Sequence, residues 1–358
     1  MRWSPSCVTL LLLLDSMSDF VGPMRQAIAL AQGVQGTTSP NPPVGCVLID
    51  ELGHVVATGA TSPPGGPHAE AAALAAAGTA AAGTTAVVTL EPCNHQGRTG
   101  PCSQALIQAG VRRVVYAVSD PNPVATGGAA ALENAGVEVV HHLLRDEVVA
   151  GPLSAWLFAQ QYGRAKFTLK TATTVDGKVA ASDGSSQWIT GTAAREFVHT
   201  DRARRDAIIV GTGTVFADNP RLTARRPDGT LYDRQPARIV VGESDIPADS
   251  AVRAPGAAFH HVKSRDLHNV VKLCAEEGYV DVLVEGGPQL AGAFMAAGLV
   301  DAIAAYVAPA LLGSGKSALA GVAATSMADI ARFATTSVQQ LGDDVLITAE
   351  RRADPPGN

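Results

Sequence analysis

The stretch Glu91-Pro92-Cys93-Asn94-His95-Gln96-Gly97-Arg98-Thr99-Gly100-Pro101-Cys102 joins a β-rich run, Thr85–Leu90, to a helical run over residues 103–109 that Gly110 closes. It places one thiol just after a strand and a second where a helix begins, and the dipole there favours a thiolate. Ahead of it, Pro67-His68-Ala69-Glu70 opens an Ala-rich stretch, 69–82, that reads as a helix. One imidazole and two thiolates, from His68, Cys93 and Cys102, suffice for a tetrahedral zinc whose fourth position holds water. Zinc lowers the pKa of such a water toward neutrality. Glu70, two residues past His68 in the same first helical turn, is set beside the metal without being a ligand. A carboxylate there can take a proton from the water and hand it to a leaving ammonia.

His-x-Glu with Pro-Cys-x-x-Cys is the signature of zinc nucleobase deaminases. This chain keeps His-x-Glu and Pro-Cys but sets the second cysteine nine positions after the first. The insert, 94–101, has room for substrate ligands of its own. His95 can instead be a fourth ligand, which would close a structural zinc site and leave Glu70 without a task.

Around this centre the pattern alternates. Ser18 or Asp19 can cap a helix over 24–32, and 44–49 pairs with 54–58 as a hairpin across 50–53. Downstream come a strand, Arg113–Val118, a helix over 129–135 closed by Gly136, and a strand over 137–140. Alternation of this kind predicts an α/β sandwich. Residues 146–163 read as a helical connector. The pattern then restarts, with strands over 166–170, 207–210, 238–241, 280–284, 302–307 and 345–350, and helices over 192–204 and 288–297. This is a second α/β domain. The domain plan is an extension, 1–16, outside the fold; a first domain, 17–150; a connector, 151–163; a second domain, 164–353; and a frayed tail, 354–358. The apolar run 8–14 after Arg2 is too short for a membrane span and ends at Asp15, and Met17 precedes the first clean helical pattern.

The second domain is less explicit. Val210-Gly211-Thr212-Gly213-Thr214 is half of a dinucleotide fingerprint without its third glycine. Val284-Glu285-Gly286-Gly287-Pro288 joins a strand to a helix, either as a tight turn or as a backbone cradle for a phosphate. A carboxylate at that strand end, Glu285, faces the ligand crevice of an α/β sheet. Arg202, Arg205, Arg221 and Arg225 can hold a phosphate or form a solvated face.

Bulk properties bound the function. The 358 residues are 46% hydrophobic, 17% charged and 4% aromatic, enough for two globular cores packed on aliphatic side chains. A net charge of −6 argues against nucleic-acid partners and leaves small phosphorylated ligands open. Five cysteines, Cys7, Cys46, Cys93, Cys102 and Cys274, are too few and odd in number for a disulfide framework, and fit a reducing cytoplasm.

The insert's Cys-x-His-x-Gly-Arg-Thr-x-Pro-Cys text resembles the deaminase domain of the bifunctional riboflavin-biosynthesis enzymes, as do Asn41-Pro42-Pro43-Val44-Gly45 and Asp120-Pro121-Asn122-Pro123. In the second half, Leu169-Lys170-Thr171-Ala172-Thr173-Thr174-Val175-Asp176-Gly177-Lys178, Ser186-Gln187-Trp188-Ile189-Thr190, the segment Asp218 to Arg225, Glu285-Gly286-Gly287-Pro288 and Ala308-Pro309 before Leu311-Leu312-Gly313 are similar to the reductase domain of that family. The resemblance implies a cytidine-deaminase-like α/β/α sandwich followed by a dihydrofolate-reductase-like α/β domain. It implies hydrolytic loss of the 2-amino group of a diamino-ribosylamino-pyrimidinone 5′-phosphate, then NADPH-dependent reduction of its ribosyl group. By it, Asn41, His95 and Arg98 contact the pyrimidine or its ribosyl phosphate. Ala172, Trp188, Thr214, Asp218 and the turn Gly287, Pro288, Gln289, Leu290, Ala291, Gly292 and Ala293 line the NADPH site. Ser186, Arg202, Leu222, Arg225 and Glu285 line the reductase substrate site. Thr61 stands where the family has a histidine, seven residues before the metal histidine. The expected partners are small phosphorylated pyrimidines and further copies of the chain, with no membrane and no nucleic acid. The alternative reading is a nucleoside or tRNA deaminase with a C-terminal accessory domain.

Overall fold

The computed structural model describes residues 5–95, 100–322 and 326–352, with side chains from Asp19 onward. The chain divides into two compact units, Met1–Gly163 and Arg164–Asn358. Among the described residues no helix is long and apolar enough to cross a membrane.

The first unit begins with α1 (Pro5–Gly33), which is longer than the helix expected over 24–32. The side chains of the expected extension, 1–16, lie outside the described residues. The hairpin β1 (Gly45–Ile49) and β2 (Val55–Ala60) is followed by α2 (Ala69–Ala77). That helix is shorter than its Ala-rich text suggests, because Gly78 takes a φ of 56° and a tight turn over Gly78–Ala81 follows. Then come β3 (Thr85–Leu90), α3 (Cys102–Gln108), β4 (Arg113–Val118), α4 (Gly128–Asn134), β5 (Glu138–Val140), α5 (Arg145–Ala150) and α6 (Ser154–Tyr162).

The sheet order is β2-β1-β3-β4-β5, with β1 antiparallel to both neighbours and β3, β4 and β5 parallel. Strands β1 and β3 are buried along their whole length, which is why both read as unbroken apolar runs rather than alternating ones. Phe20, Met24, Ala27 and Ile28 of α1 pack into this core. So do Val148, Leu153 and Trp156, so the stretch read as a connector is packed chain within the first unit.

The second unit runs β6 (Lys166–Thr174), β7 (Lys178–Ala181), α7 (Thr192–Ala203), β8 (Ala207–Gly211), α8 (Thr212–Asp218), β9 (Ala237–Val241) and β10 (Phe259–Val262). It continues with α9 (His268–Glu277), β11 (Asp281–Val284), α10 (Pro288–Ala296), β12 (Ala302–Ala308), β13 (Gly315–Ser317), β14 (Phe333–Leu341) and β15 (Asp344–Arg351). Eight strands form one sheet in the order β10-β9-β8-β11-β6-β12-β15-β14, and β7 pairs with β13 as a separate ribbon. From β10 to β12 every pairing is parallel, while β15 and β14 run antiparallel.

This is not a Rossmann sheet, whose order is 3-2-1-4-5-6. Here the unit's first strand, β6, lies between β11 and β12. The core on one face gathers Phe167, Ile209, Ile239, Val284 and Phe294, with Phe167 and Phe294 edge to face at 5.4 Å. Loops leaving the carboxyl ends of the parallel strands therefore meet along one edge, where an open α/β sheet binds its ligands.

Candidate active sites

In the first unit, His68 is the last extended residue before α2 and Glu70 lies in that helix's first turn, almost fully buried. Cys93 follows β3, and Cys102 is the first residue of α3. The backbone N–H of Cys102 points at Cys93 Sγ at 3.5 Å, and that of Ser103 donates to Cys93 O at 3.2 Å. The helix start is thus folded back onto the loop that leaves the strand.

His68 Nδ1 stands 3.4 Å from Cys102 Sγ and 3.7 Å from Cys93 Sγ, and the three candidate donor atoms all lie within 4.8 Å of one another. Bonds of about 2.0 Å from zinc to nitrogen and 2.3 Å to sulfur, at a tetrahedral angle, put the two atoms about 3.5 Å apart. These spacings are the edges of a ligand tetrahedron rather than ordinary hydrogen bonds. The donor set therefore fits zinc. Among the described residues no other cluster of three or more such side chains can hold a metal ion, and His95 is not part of this one. The trio is the open, three-ligand kind.

Electrostatics agree with that use. The Cys102 thiol, then the His68 ring and the Cys102 backbone N–H, hold the Cys93 thiol down to about 4 against the effect of burial. The same donation, with burial and the Glu70 charge, drives Cys102 up, so two thiols share one proton until a cation takes both as thiolates. Burial pushes the Glu70 carboxyl up to about 7.

The surrounding loops are braced from below. Glu91 is buried and accepts hydrogen bonds from Asp120 N at 3.2 Å and Ala129 N at 3.0 Å, tying the Asp120 loop and the start of α4 to the base of the metal loop. Asn94 N donates to Ala125 O, and Ser103 Oγ to Asn94 Oδ1. Gly128 must be glycine for this approach, since a Cβ there would meet Pro92 O at 1.7 Å.

The expected substrate residues are placed unevenly. His95 Nδ1 is buried with no hydrogen-bond partner among the described residues, a state that costs about 1–3 kcal/mol unless another group or a bound molecule answers it. Asn41 lies half-buried in the loop after α1. Arg98 lies outside the described residues. Thr61 accepts from Val44 N at 3.1 Å, so its hydroxyl pins the start of β1.

The second unit carries a cleft of about 1300 Å³. Of the expected cofactor residues, Ala172, Thr214, Asp218, Gly287, Pro288, Gln289, Leu290 and Ala293 line it. Ala291 turns into the core instead, and Gly292 is buried behind Ala320, whose O a Cβ there would meet at 1.7 Å. Trp188 stands outside the lining, exposed, with Arg195 over its ring at 4.6 Å. Ser186 and Glu285 line the cleft.

Glu285 is gripped by Arg202 from α7, with Nε to Oε1 and Nη2 to Oε2 both at 2.7 Å. Burial opposes ionisation of Glu285, but Arg202, and Lys170 after it, overrule this and bring the carboxyl down to about 2. Arg202 Nη1 also donates to Thr223 O at 3.1 Å, next to the buried Leu222. Burial first, and then the charges of Arg202 and Arg225, lower His199 below its ordinary value. A neutral His199 that donates from Nδ1 to Thr223 O leaves Nε2 to accept from Arg225 Nη2 at 3.2 Å. One chain of contacts thus links Glu285, Arg202, Leu222 and Arg225.

Sequence reasoning missed Lys170, a half-buried cation in the cleft wall beside Glu285 and 5.7 Å over the Tyr306 ring. Its place in the quoted motif was the available signal. Arg205 proves structural: it binds Asp201 and Asp281.

The profile of the RibD C-terminal domain matches residues 165–347, and that of the cytidine and deoxycytidylate deaminase zinc-binding region matches residues 20–118. Riboflavin biosynthesis protein RibD of Mycobacterium tuberculosis is 48% identical over 329 residues, covering 92% of this chain and 96% of that protein. The chain belongs to the RibD family. RibD of Escherichia coli is 38% identical, covering 90% of this chain and 97% of its own. A crystal structure of a diaminohydroxyphosphoribosylaminopyrimidine deaminase/5-amino-6-(5-phosphoribosylamino)uracil reductase from Thermotoga maritima superposes with a TM-score of 0.86 at 30% identity, covering 94% of this chain and 100% of that one. Acinetobacter baumannii RibD does so at 0.82 and 34%, with the same coverage.

As a RibD enzyme the chain is bifunctional: a zinc-dependent deaminase of the cytidine-deaminase type is followed by an NADPH-dependent reductase, and both act on small pyrimidines in riboflavin biosynthesis. Matches across both halves do not favour the nucleoside or tRNA deaminase reading.

Proposed function

We propose that residues 17–150 remove by hydrolysis the 2-amino group of 2,5-diamino-6-ribosylamino-4(3H)-pyrimidinone 5′-phosphate. Residues 164–353 then reduce the ribosyl group with NADPH, giving 5-amino-6-(5-phosphoribitylamino)uracil. One observation carries this reading: the open His68, Cys93 and Cys102 trio, with buried Glu70 beside it, on a chain whose second unit has a cleft walled by Lys170 and by Glu285, which Arg202 holds from behind the lining. The printed activity of the Thermotoga maritima neighbour supports the choice of substrate.

In the deaminase, His68, Cys93 and Cys102 hold zinc, which when bound acidifies a coordinated water. Glu70, poised near neutrality by burial, takes the proton and delivers it to the departing ammonia. His95, whose Nδ1 has no partner among the described residues, contacts the substrate, with Asn41 and Arg98 as further contacts. In the reductase, Ser186, Arg202, Leu222, Arg225 and Glu285 bind the ribosyl-pyrimidine phosphate. Ala172, Thr214, Asp218 and, from the turn, Gly287 to Leu290 with Ala293 bind the cofactor along the cleft, while Ala291 and Gly292 pack behind it and Trp188 stands outside its lining. These residues act by orientation, bringing the ribosyl C1′ against the nicotinamide. A net charge of −6 supports small-molecule rather than nucleic-acid partners.

We also read the protein as a homo-oligomer in a reducing compartment. Val338 is exposed on edge strand β14, and the buried cysteines Cys46, Cys93, Cys102 and Cys274 are free thiols.

The deciding experiment incubates purified protein with the diamino-pyrimidinone phosphate, with and without NADPH, and identifies products by mass. The expected result is a loss of one amino group to oxygen without NADPH, and a further gain of two hydrogens with it. An unchanged substrate in both arms refutes the reading.

A further inference from the structure

We propose that Arg265, held by Glu243 and sharing the cleft lining with Ser244 and Ser264, recognises the 2′-phosphate of the cofactor and so sets the preference of the reductase for NADPH over NADH. This rests on the reading that the cleft of the second unit binds the dinucleotide.

The cleft crosses five neighbouring parallel strands. It is lined by Lys170 and Ala172 on β6, Glu285 after β11, Gly211 to Thr214 at β8, Val241 to Ser244 at β9, and Ser264, Arg265 and Leu267 after β10. Four steps of about 4.8 Å between strands give about 19 Å of length, room for an extended dinucleotide. Lys170 and Glu285 mark the substrate end, over β6 and β11. The nicotinamide must lie there, and the adenosine end then reaches β9 and β10.

Among the described residues that line the cleft, the cations are Lys170, Lys316 and Arg265. Lys316 is on the β7–β13 ribbon, at the β6 side. Arg265 is the cation at the β10 end. Its Nε lies 3.1 Å from Glu243 Oε2, and both side chains are largely exposed. An ion pair in water is worth little and is readily exchanged for a phosphate dianion. Nearby Lys263 is already engaged by Asp245.

The hydroxyl of Ser264 is prepared for an anion. Its Oγ accepts from Asp266 N and from Asn269 Nδ2, both at 3.0 Å, which leaves its proton to be donated. Gly242 N donates to Val262 O, and His261 Nε2 donates to Gly242 O, each at 3.0 Å. These bonds join the ends of β9 and β10, so Ser244 and Ser264 stand on one wall. Without a 2′-phosphate, Glu243 keeps Arg265 and faces a ribose hydroxyl instead.

The test titrates the full-length protein with NADPH, NADH and adenosine 2′,5′-bisphosphate by calorimetry. Arg265→Ala should weaken NADPH and the bisphosphate by about ten- to a hundredfold, the range for one lost charge-assisted hydrogen bond, and leave NADH unchanged. Glu243→Gln should tighten NADPH and not NADH. Equal loss of both dinucleotides in Arg265→Ala, or no loss of either, overturns this proposal alone. A wild-type protein that binds neither dinucleotide overturns the cleft assignment and the proposal with it.

Discussion

The Arg202 guanidinium meets the Glu285 carboxylate through two parallel contacts of 2.7 Å, although 83 residues separate them in the chain. The fork fixes the plane and the charge of a carboxylate in the cleft wall. Arg202 also reaches Thr223 O, so a single side chain from α7 positions the strand end and the loop that bears Leu222 and Arg225.

Glu285→Gln leaves a buried guanidinium without its counter-charge. We expect the reductase unit to lose about 3–5 kcal/mol of stability at neutral pH, as for other broken buried pairs. Because Glu285 sits at about 2 in the fold against an ordinary 4.5, its contribution is complete above about pH 4.5 and fades as pH falls toward 2. Urea unfolding at pH 7 and pH 3 measures both effects. The acid-induced loss should be smaller in the variant, and an equal loss would show that Glu285 is not the group responsible.

Glu70→Gln keeps the size of the side chain and removes its proton-accepting charge. Ammonia release should fall by about a hundred- to ten-thousandfold, the usual worth of a general acid–base group. NADPH oxidation with already deaminated substrate should stay near the wild-type rate. Deaminase activity that survives the change would remove Glu70 from the mechanism.

Cys102→Ala takes one ligand from the trio, while Cys274→Ala changes a buried thiol of the second unit's core. Elemental analysis should find about one zinc per chain in the wild type and in Cys274→Ala, and far less in Cys102→Ala. Full zinc content in Cys102→Ala would disprove the ligand assignment.

Gly292→Ala puts a methyl group where Ala320 O stands, since the added Cβ would lie 1.7 Å from that oxygen. Ala320 N is bonded to Pro288 O and Ala320 lines the cleft, so relief must shift the cleft wall away from α10. The expected cost is about 1–3 kcal/mol of stability together with weaker NADPH binding. Thermal melts with and without NADPH test this, and an unchanged cofactor-induced shift would count against it.

Legibility differed between the two halves for physical reasons. β1 and β3 are buried on both faces and could be read as apolar runs. β14 is an edge strand whose Thr335, Thr336, Ser337, Gln339 and Gln340 are exposed, so no apolar pattern betrays it. β10, with His260 and His261 among four half-buried residues, hid for the same reason. In the turn from Gly287 to Ala293, periodicity could not tell which residues face the cleft. Packing of α10 decided that Ala291 turns inward and that Gly292 is buried behind Ala320.

Residue type alone determined the metal trio and its carboxylate. Imidazole, thiolate and a nearby acid are scarce groups with definite chemistry, and three short segments hold them at strand ends and helix starts. Tertiary structure decided which cations gather at the cleft carboxylate: Lys170 and Arg202 converge on Glu285, while Arg205 is withdrawn into the Asp201 and Asp281 network. The reason is that a charge carries no mark of its partner. Pairing is set by sheet order, which brings β6 and β11 side by side although β7, β8, β9 and β10 lie between them in the chain.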